Sequence, residues 1–550
     1  MMKLKIVLDI LLKRSKIMNE FWIFYNDIIK RKRFFLPVSF FVIIGYSFAI
    51  FNRTISIDDL LINHSLTNGE MISGRWGMFV WFQLLGLTEQ MPFIYRFLSM
   101  LFVVASAVLF CFVLYSIGGK KDVLPYTATA SAFVTYPLIN EIWEYVVDYV
   151  VVGNLCLVSL SAIVMRMKIP LMKRLFWGSV FMVLPMASYE SAIFYYISLV
   201  CIIAFYESTL DANKTDNFRR FKKYLYFIVP VIVAFVVRFT ISIIINTLYD
   251  LQYNSGGNTQ IVWQKYDFVP TLKGLVVSNL LHYFVYGLVY LPITVFALSL
   301  LFLIFYNISL KNKRLLCMYL SVILIASLFL QAVVQGDLLQ YRHAQTISLF
   351  VAFIAYLSCV SIKGYWQNCL YVFLFGLCWH QAIFMNKISA LNNLRSDNDL
   401  SVIRQLGKRI ISQYEKKPVV FVGEDPELPY WIRRQVTVNE SSWNGRLFRS
   451  IMIALDGSCD LNMKYVGTNV NPVMPEYLQL QDLFSYCGYD ITVVPDYFSG
   501  DNTVKLGDMR KEAAAIAVRR GLGPYQIIDN GKYLIVNLGG QMKGDTEFLK

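Results

Sequence analysis

The adjacent carboxylates Asp58 and Asp59, followed by Gly74-Arg75-Trp76, are the residues of this 550-residue chain best suited to chemistry. A carboxylate can take the proton of an attacking hydroxyl, and a second beside it can position that hydroxyl or its neighbour. Arginine offers a planar fork that matches phosphate oxygens, so Arg75, Arg238 or Arg342 can hold a lipid phosphate. A purely structural reading stands beside this one. Asp58 can cap a helix running through Leu60, Leu61 and Ile62, with Asp59 favoured in its first turn. Arg75 and Trp76 can equally be interfacial anchors, and Tyr189-Glu190 a turn between two spans.

The elements that must position these residues are membrane helices. Hydrophobic residues make up 56% of the chain and aromatics 16%, with a mean hydropathy of +0.50, too apolar for an ordinary soluble enzyme. The net charge of +14 is gathered in short basic runs between apolar segments, the pattern of positive-inside topology rather than of nucleic-acid binding. The first apolar segment lacks a small-residue cleavage site and starts too far along to be a cleaved signal peptide.

About eleven transmembrane helices are expected, near 34–51, 92–116, 124–140, 146–165, 174–187, 191–207, 223–247, 288–308, 314–334, 346–361 and 366–385. With the N-terminus in the cytoplasm, each connection on that side is basic: Gly118 to Lys121, Arg166 to Arg174, Asn217 to Lys223, Lys311 to Arg314, and Lys363. The other face then receives Asp58, Asp59, Glu141, Glu144, Asp148, Tyr189, Glu190, Trp263, Lys265, Asp337, Arg342 and His343, with Arg238 near the outer end of the seventh span. Ionisable groups at that depth face a cavity or a partner, which points to one polar cleft at the outer membrane face. A carboxylate base beside a phosphate clamp in such a cleft describes glycosyl transfer from a lipid-phosphate sugar.

The chain divides into an interfacial N-terminal segment (1–33), a transmembrane domain (34–385) and an exported domain (386–550), the last of a size for one hydrophobic core. Asn19 to Ile29 gathers Phe21, Trp22, Phe24, Tyr25, Ile28 and Ile29 largely on one face, as an amphipathic helix on the inner leaflet or an early extension of the first span. Thr271 to Leu281 has helical spacing and suits a re-entrant or interfacial helix. In the exported domain, Pro418 to Val422 suits a buried strand, and Tyr525 to Val536 suits a hairpin turning at Asn530-Gly531, so a mixed α/β fold is expected. Of the nine cysteines, only Cys459 and Cys487 fall in this domain, and an oxidising compartment would pair them as a disulfide. No CxxC or HExxH spacing suggests a metal site, so no cofactor is expected and a divalent metal has no ligand motif behind it.

A first span ending in an aspartate pair, a following Gly-Arg-Trp-Gly (Gly74 to Gly77), the Ser188-Tyr189-Glu190 turn and about eleven spans before an exported domain resemble the bacterial O-antigen glucosyltransferases of the Gtr type II family. The resemblance implies a GT-C architecture in the bacterial inner membrane. It also implies transfer of glucose from undecaprenyl-phosphate glucose to the O-antigen of lipopolysaccharide on the periplasmic side, with inversion at the anomeric carbon and serotype conversion as the outcome. Carried over, Asp58 or Asp59 becomes the base and Arg75 a contact to the donor phosphate. The outer-face reading, apart from the resemblance, adds Trp76, Tyr189, Glu190, Glu141, Arg238, Arg342 and His343 as candidate substrate contacts. A lipid-linked sugar flippase or O-antigen polymerase would also have many spans, but would show an inverted repeat or paired large outer loops. A GT-C enzyme donating another sugar, such as mannose or arabinose, stays open, because nothing here reads the sugar's hydroxyls.

Overall fold

A computed structural model describes residues 16–52, 74–85, 92–119, 121–137, 139, 148–210, 223–248, 268–280, 291–310, 314–336, 344–422, 484–485, 487–494, 503–523 and 525–537. Among these, 16–51 and 74–387 cluster as one compact unit, and 388–422 with 484–537 as another.

The first unit is helical. In chain order it holds α1 (Lys16–Phe24), followed by a π-helical turn at Tyr25–Ile29, then α2 (Lys32–Phe51), α3 (Trp76–Leu85), α4 (Pro92–Gly118), α5 (Val123–Thr135) and α6 (Asp148–Arg166). There follow α7 (Leu171–Ser188), α8 (Ala192–Leu210), α9 (Ile228–Leu248), α10 (Phe268–Leu280), α11 (Leu291–Ser309), α12 (Arg314–Leu328), α13 (Leu330–Gln335), α14 (Gln345–Ser361) and α15 (Tyr365–Gln413), whose residues from 388 onward belong to the second unit. Each expected span falls on a helix. Among the described residues, six helices are long and apolar enough to cross a membrane: those at 32–51, 93–118, 149–166, 192–210, 223–248 and 365–386. Helix α6 packs between α4 and α7, α7 also packs on α9, and α5 lies against α2 and α14.

Three local departures have physical causes. The third expected span stops as a helix at Thr135, because Tyr136 precedes Pro137 and takes extended angles (φ −71°, ψ 118°), as the proline ring requires of its predecessor. The ninth breaks at Phe329 into α12 and α13. Hydroxyls from other helices satisfy the carbonyls at the break, Ser198 donating to Ser327 O at 3.2 Å and Thr346 to Leu328 O at 3.0 Å, which is what backbone at membrane depth needs. The N-terminal aromatic face is a helix distinct from the first span, and it packs on protein: Phe24 and Ile28 are fully buried, and Phe21 meets Phe112 of α4 edge-on at 5.2 Å. Trp22 and Ile23 face outward on the opposite side.

In the second unit, β1 (Val419–Val422) pairs in parallel with β3 (Leu534–Asn537), which pairs antiparallel with β2 (Ile527–Asp529), in the order β1-β3-β2. Alternation splits the strand residues between two cores. Val419, Phe421, Leu534 and Val536 pack with Ile403, Leu406 and Ile410 of α15, while Val420, Val422 and Ile535 pack with Ala513, Ala514 and Ala517 of α16 (Thr503–Arg519). The hairpin turns where the sequence predicts. Gly531 takes φ +90°, its amide donates to Asp529 Oδ1 at 2.7 Å, and Asn530 Oδ1 accepts from the amides of Lys532 and Tyr533. Cys487 carries a free, half-buried thiol, and Cys459, its expected disulfide partner, lies outside the described residues.

Candidate functional site

The site is built where the Gly74 to Gly77 stretch meets the turn between α7 and α8. Gly74 sits in the left-handed region at φ +75°, a conformation that costs any residue with a Cβ. That turn aims the Gly74 carbonyl at α9, where it accepts from Arg238 Nε at 3.3 Å. The next two residues then reach the same place. Trp76 Nε1 donates to the carbonyl of Arg238 at 3.4 Å, and the Arg75 guanidinium lies over the Tyr189 ring, 5.5 Å from its centroid.

Gly77 completes the joint. A Cβ there would lie 2.6 Å from Ser188 Oγ and 2.7 Å from the carbonyl carbon of Ala187, so only glycine lets α3 approach the end of α7 this closely. One turn further along the same face of α3, Trp81 donates to Asn154 Oδ1 of α6 at 3.0 Å and ties the helix to α6 as well. The two sequence motifs, Gly-Arg-Trp-Gly and Ser-Tyr-Glu, are thus two sides of one packing contact.

At their junction Glu190 bridges two cations. Its Oε1 accepts from Arg238 Nη2 at 2.5 Å, and its Oε2 lies 3.5 Å from Arg75 Nη2. The carboxylate side chain is 39% exposed, against 13% for Arg238 and 32% for Arg75, so the cluster opens on the side of the glutamate. Burial among protein atoms opposes ionisation of Glu190, but the Arg75 and Arg238 guanidiniums together outweigh it and hold the carboxyl below the ordinary glutamate range.

Arg238 is carried into this position by α9. Pro230, Ala234, Ser242 and Asn246 are the buried residues of that helix, and with Arg238 they recur every fourth position, on one face. Val236, Phe239 and Ile243 are half exposed on the other faces, as expected of a helix against lipid. Arg238 is therefore a cation of a helix long and apolar enough to cross a membrane, turned inward to a carboxylate, and Ser242 Oγ donates back to its carbonyl at 2.9 Å.

Of the expected site residues, the structure brings together Arg75, Trp76, Tyr189, Glu190 and Arg238. Asp58, Asp59, Glu141, Arg342 and His343 lie outside the described residues. Among the described residues no three of His, Cys, Asp and Glu converge as a metal site would need. A second ionic cluster was not anticipated from the sequence. Glu207 of α8 accepts from Arg166 of α6 at 2.9 Å and from Lys223 and the Tyr224 hydroxyl at 2.6 Å each. The available signal was a glutamate close to the end of an apolar segment with basic runs on either side.

The sequence matches the family described as glucosyl transferase GtrII over residues 47–362, a span that contains the whole Arg75–Glu190–Arg238 cluster. No curated protein matches it. Among solved structures, it is similar to ArnT from Cupriavidus metallidurans bound to undecaprenyl phosphate, at 11% identity and a TM-score of 0.37, with 76% of this chain and 88% of that one covered.

Proposed function

We propose, from the premise that the chain belongs to the glucosyl transferase GtrII family and is a glycosyltransferase, that it moves glucose from undecaprenyl-phosphate glucose to O-antigen at the periplasmic face of the inner membrane. In this reading the chain crosses the membrane about eleven times, with the N-terminus in the cytoplasm and residues 386–550 forming the periplasmic α/β domain. The observation that carries the reading is the convergence of Arg75 and Arg238 on one anion at the mouth of α7 and α8. Two guanidiniums that share one anion present the forked donors that suit a lipid phosphate.

The chemistry needs little covalent help. The acceptor hydroxyl oxygen bonds to the anomeric carbon from the face opposite the phosphate, and Asp58 or Asp59 takes the hydroxyl proton. The bond from that carbon to the phosphate oxygen breaks, and its electron pair leaves on the lipid phosphate, where the arginines stabilise the added charge. Alignment of acceptor, carbon and leaving oxygen supplies the rest. The test is glucose transfer by the purified enzyme from undecaprenyl-phosphate glucose to lipid-linked O-antigen units. Inverted glycosidic product is expected, and transfer confined to a different lipid-phosphate sugar would replace glucose in this reading.

A further inference from the structure

We propose that Glu190 stands in for the donor's phosphate when the site is empty, holding Arg75 and Arg238 by the contacts that the phosphate takes over on binding. This rests on the reading of those arginines as the phosphate clamp.

Three observations support an exchange rather than a fixed brace. The carboxylate meets the two guanidiniums with separate oxygens, Oε1 to Arg238 at 2.5 Å and Oε2 to Arg75 at 3.5 Å. A phosphodiester presents the same pattern, one negative charge shared by two non-ester oxygens. Each arginine also has an anchor independent of Glu190: Arg238 Nε donates to the Gly74 carbonyl at 3.3 Å, and Arg75 lies over the Tyr189 ring. Both cations can therefore stay in place when the glutamate leaves. Finally, Glu190 lies on a turn and is the most exposed of the three, at 39%, so its carboxylate has an open side to turn toward.

The chemistry of turnover gives the exchange a purpose. Two guanidiniums held side by side in a medium that screens poorly repel each other, and an anion shared between them relieves that repulsion; among the described residues Glu190 is the carboxylate that meets both. The donor is a diester with one charge, but the product lipid phosphate is a monoester that carries more near neutral pH. The two arginines would thus bind product more tightly than substrate and slow its release. A tethered carboxylate that returns to the same guanidiniums competes with the product and speeds its release.

The measurement is binding of undecaprenyl phosphate to the detergent-solubilised full-length enzyme, with steady-state kinetics alongside. Glu190→Gln removes the competing charge at nearly constant shape. It should bind undecaprenyl phosphate about ten- to hundredfold more tightly, the scale of one charge-assisted hydrogen bond, and KM for the donor and kcat should fall together. Glu190→Asp, whose carboxylate reaches less far, should tighten binding in the same direction by a smaller factor. Unchanged or weaker binding in both variants overturns the proposal and makes Glu190 a brace for the arginines. Arg75→Ala and Arg238→Ala separate this from the underlying reading. If they bind undecaprenyl phosphate as the wild type does, the phosphate clamp itself is wrong; if they lose it while Glu190→Gln gains nothing, only the exchange is wrong.

Discussion

Glu190, two residues before α8, and Glu207, in its last turn, are each the anion of their own cationic cluster: Arg75 and Arg238 at one end of the helix, Arg166 and Lys223 at the other. The stretch from Glu190 to Glu207 covers about 26 Å at the helical rise, close to the roughly 30 Å of a bilayer's hydrocarbon core. The Glu207 end draws its cations from the basic runs that the positive-inside rule assigns to the cytoplasm. In the proposed topology the Glu190 end, and the site with it, falls at the opposite face.

That arrangement predicts topology. Reporter fusions after Lys120 and Asn213 should read cytoplasmic and one after Lys550 periplasmic. A cytoplasmic reading at Lys550 would put the second unit on the wrong side of the membrane for the proposed reaction.

Gly77 offers a test of the joint between α3 and α7. Gly77→Ala places a methyl 2.6 Å from Ser188 Oγ and 2.7 Å from the Ala187 carbonyl carbon, and overpacking of this kind costs about 1–3 kcal/mol. Transfer should fall with stability, because the same contact sets Arg75 beside Glu190. Gly376→Ala, where nothing lies within 4 Å of the added methyl, should leave both unchanged in a thermal-shift and transfer assay.

Much of the architecture was legible because it is written in local sequence. Apolar runs marked the helices, Asn530-Gly531 marked the hairpin, and the charge of Arg238 inside an apolar run marked it for the site. What the sequence hid depends on distant partners. Nothing near Glu190 announces that its counter-ions are Arg75 and Arg238, and nothing near Phe329 announces that Ser198 and Thr346 will satisfy a broken helix there. Glycines at 74 and 77 were visible as a motif, but their reasons, a positive φ and a close approach to Ser188, exist only in the folded chain.

Acid should loosen the site. The carboxyl of Glu190 is held below its ordinary range, so its folded-state pKa lies under its unfolded one. The stabilisation from its ion pairs is then complete above the ordinary glutamate pKa and is lost as pH falls through the depressed value. Thermal unfolding of the wild type should therefore show an acid-side loss that Glu190→Gln lacks. An identical acid profile in the two proteins would mean that Glu190 is not ionised between its arginines.

Arg75→Lys should impair transfer by more than a change of one cation for another ordinarily does. Lysine keeps a point charge but loses the planar group that lies over Tyr189 and the second donor that a phosphate would use. KM for the donor should rise with kcat lowered. Free substitution would make Arg75 an interfacial anchor, the alternative its place beside Trp76 left open.

The aspartates separate a base from a cap. Asn keeps the volume of Asp and an oxygen able to accept from a helix N-terminus, so Asp58→Asn and Asp59→Asn should insert and fold like the wild type if either residue serves only the helix. A base does not survive the change, because a neutral amide cannot take the acceptor's proton, and loss of such a base costs about two to four orders of magnitude in rate. Of the two, Asp58 is expected to be the base, since the helix-cap reading of the sequence puts Asp59 in the first turn, where it is better placed to support a helix dipole. The measurement is glucose transfer by each variant at matched expression, with undecaprenyl phosphate binding as the control. A residue that acts only as base should lose transfer and keep the binding that Arg75 and Arg238 provide. Full activity in both variants would remove the aspartates from the mechanism and leave the proton of the acceptor to another group at the outer face.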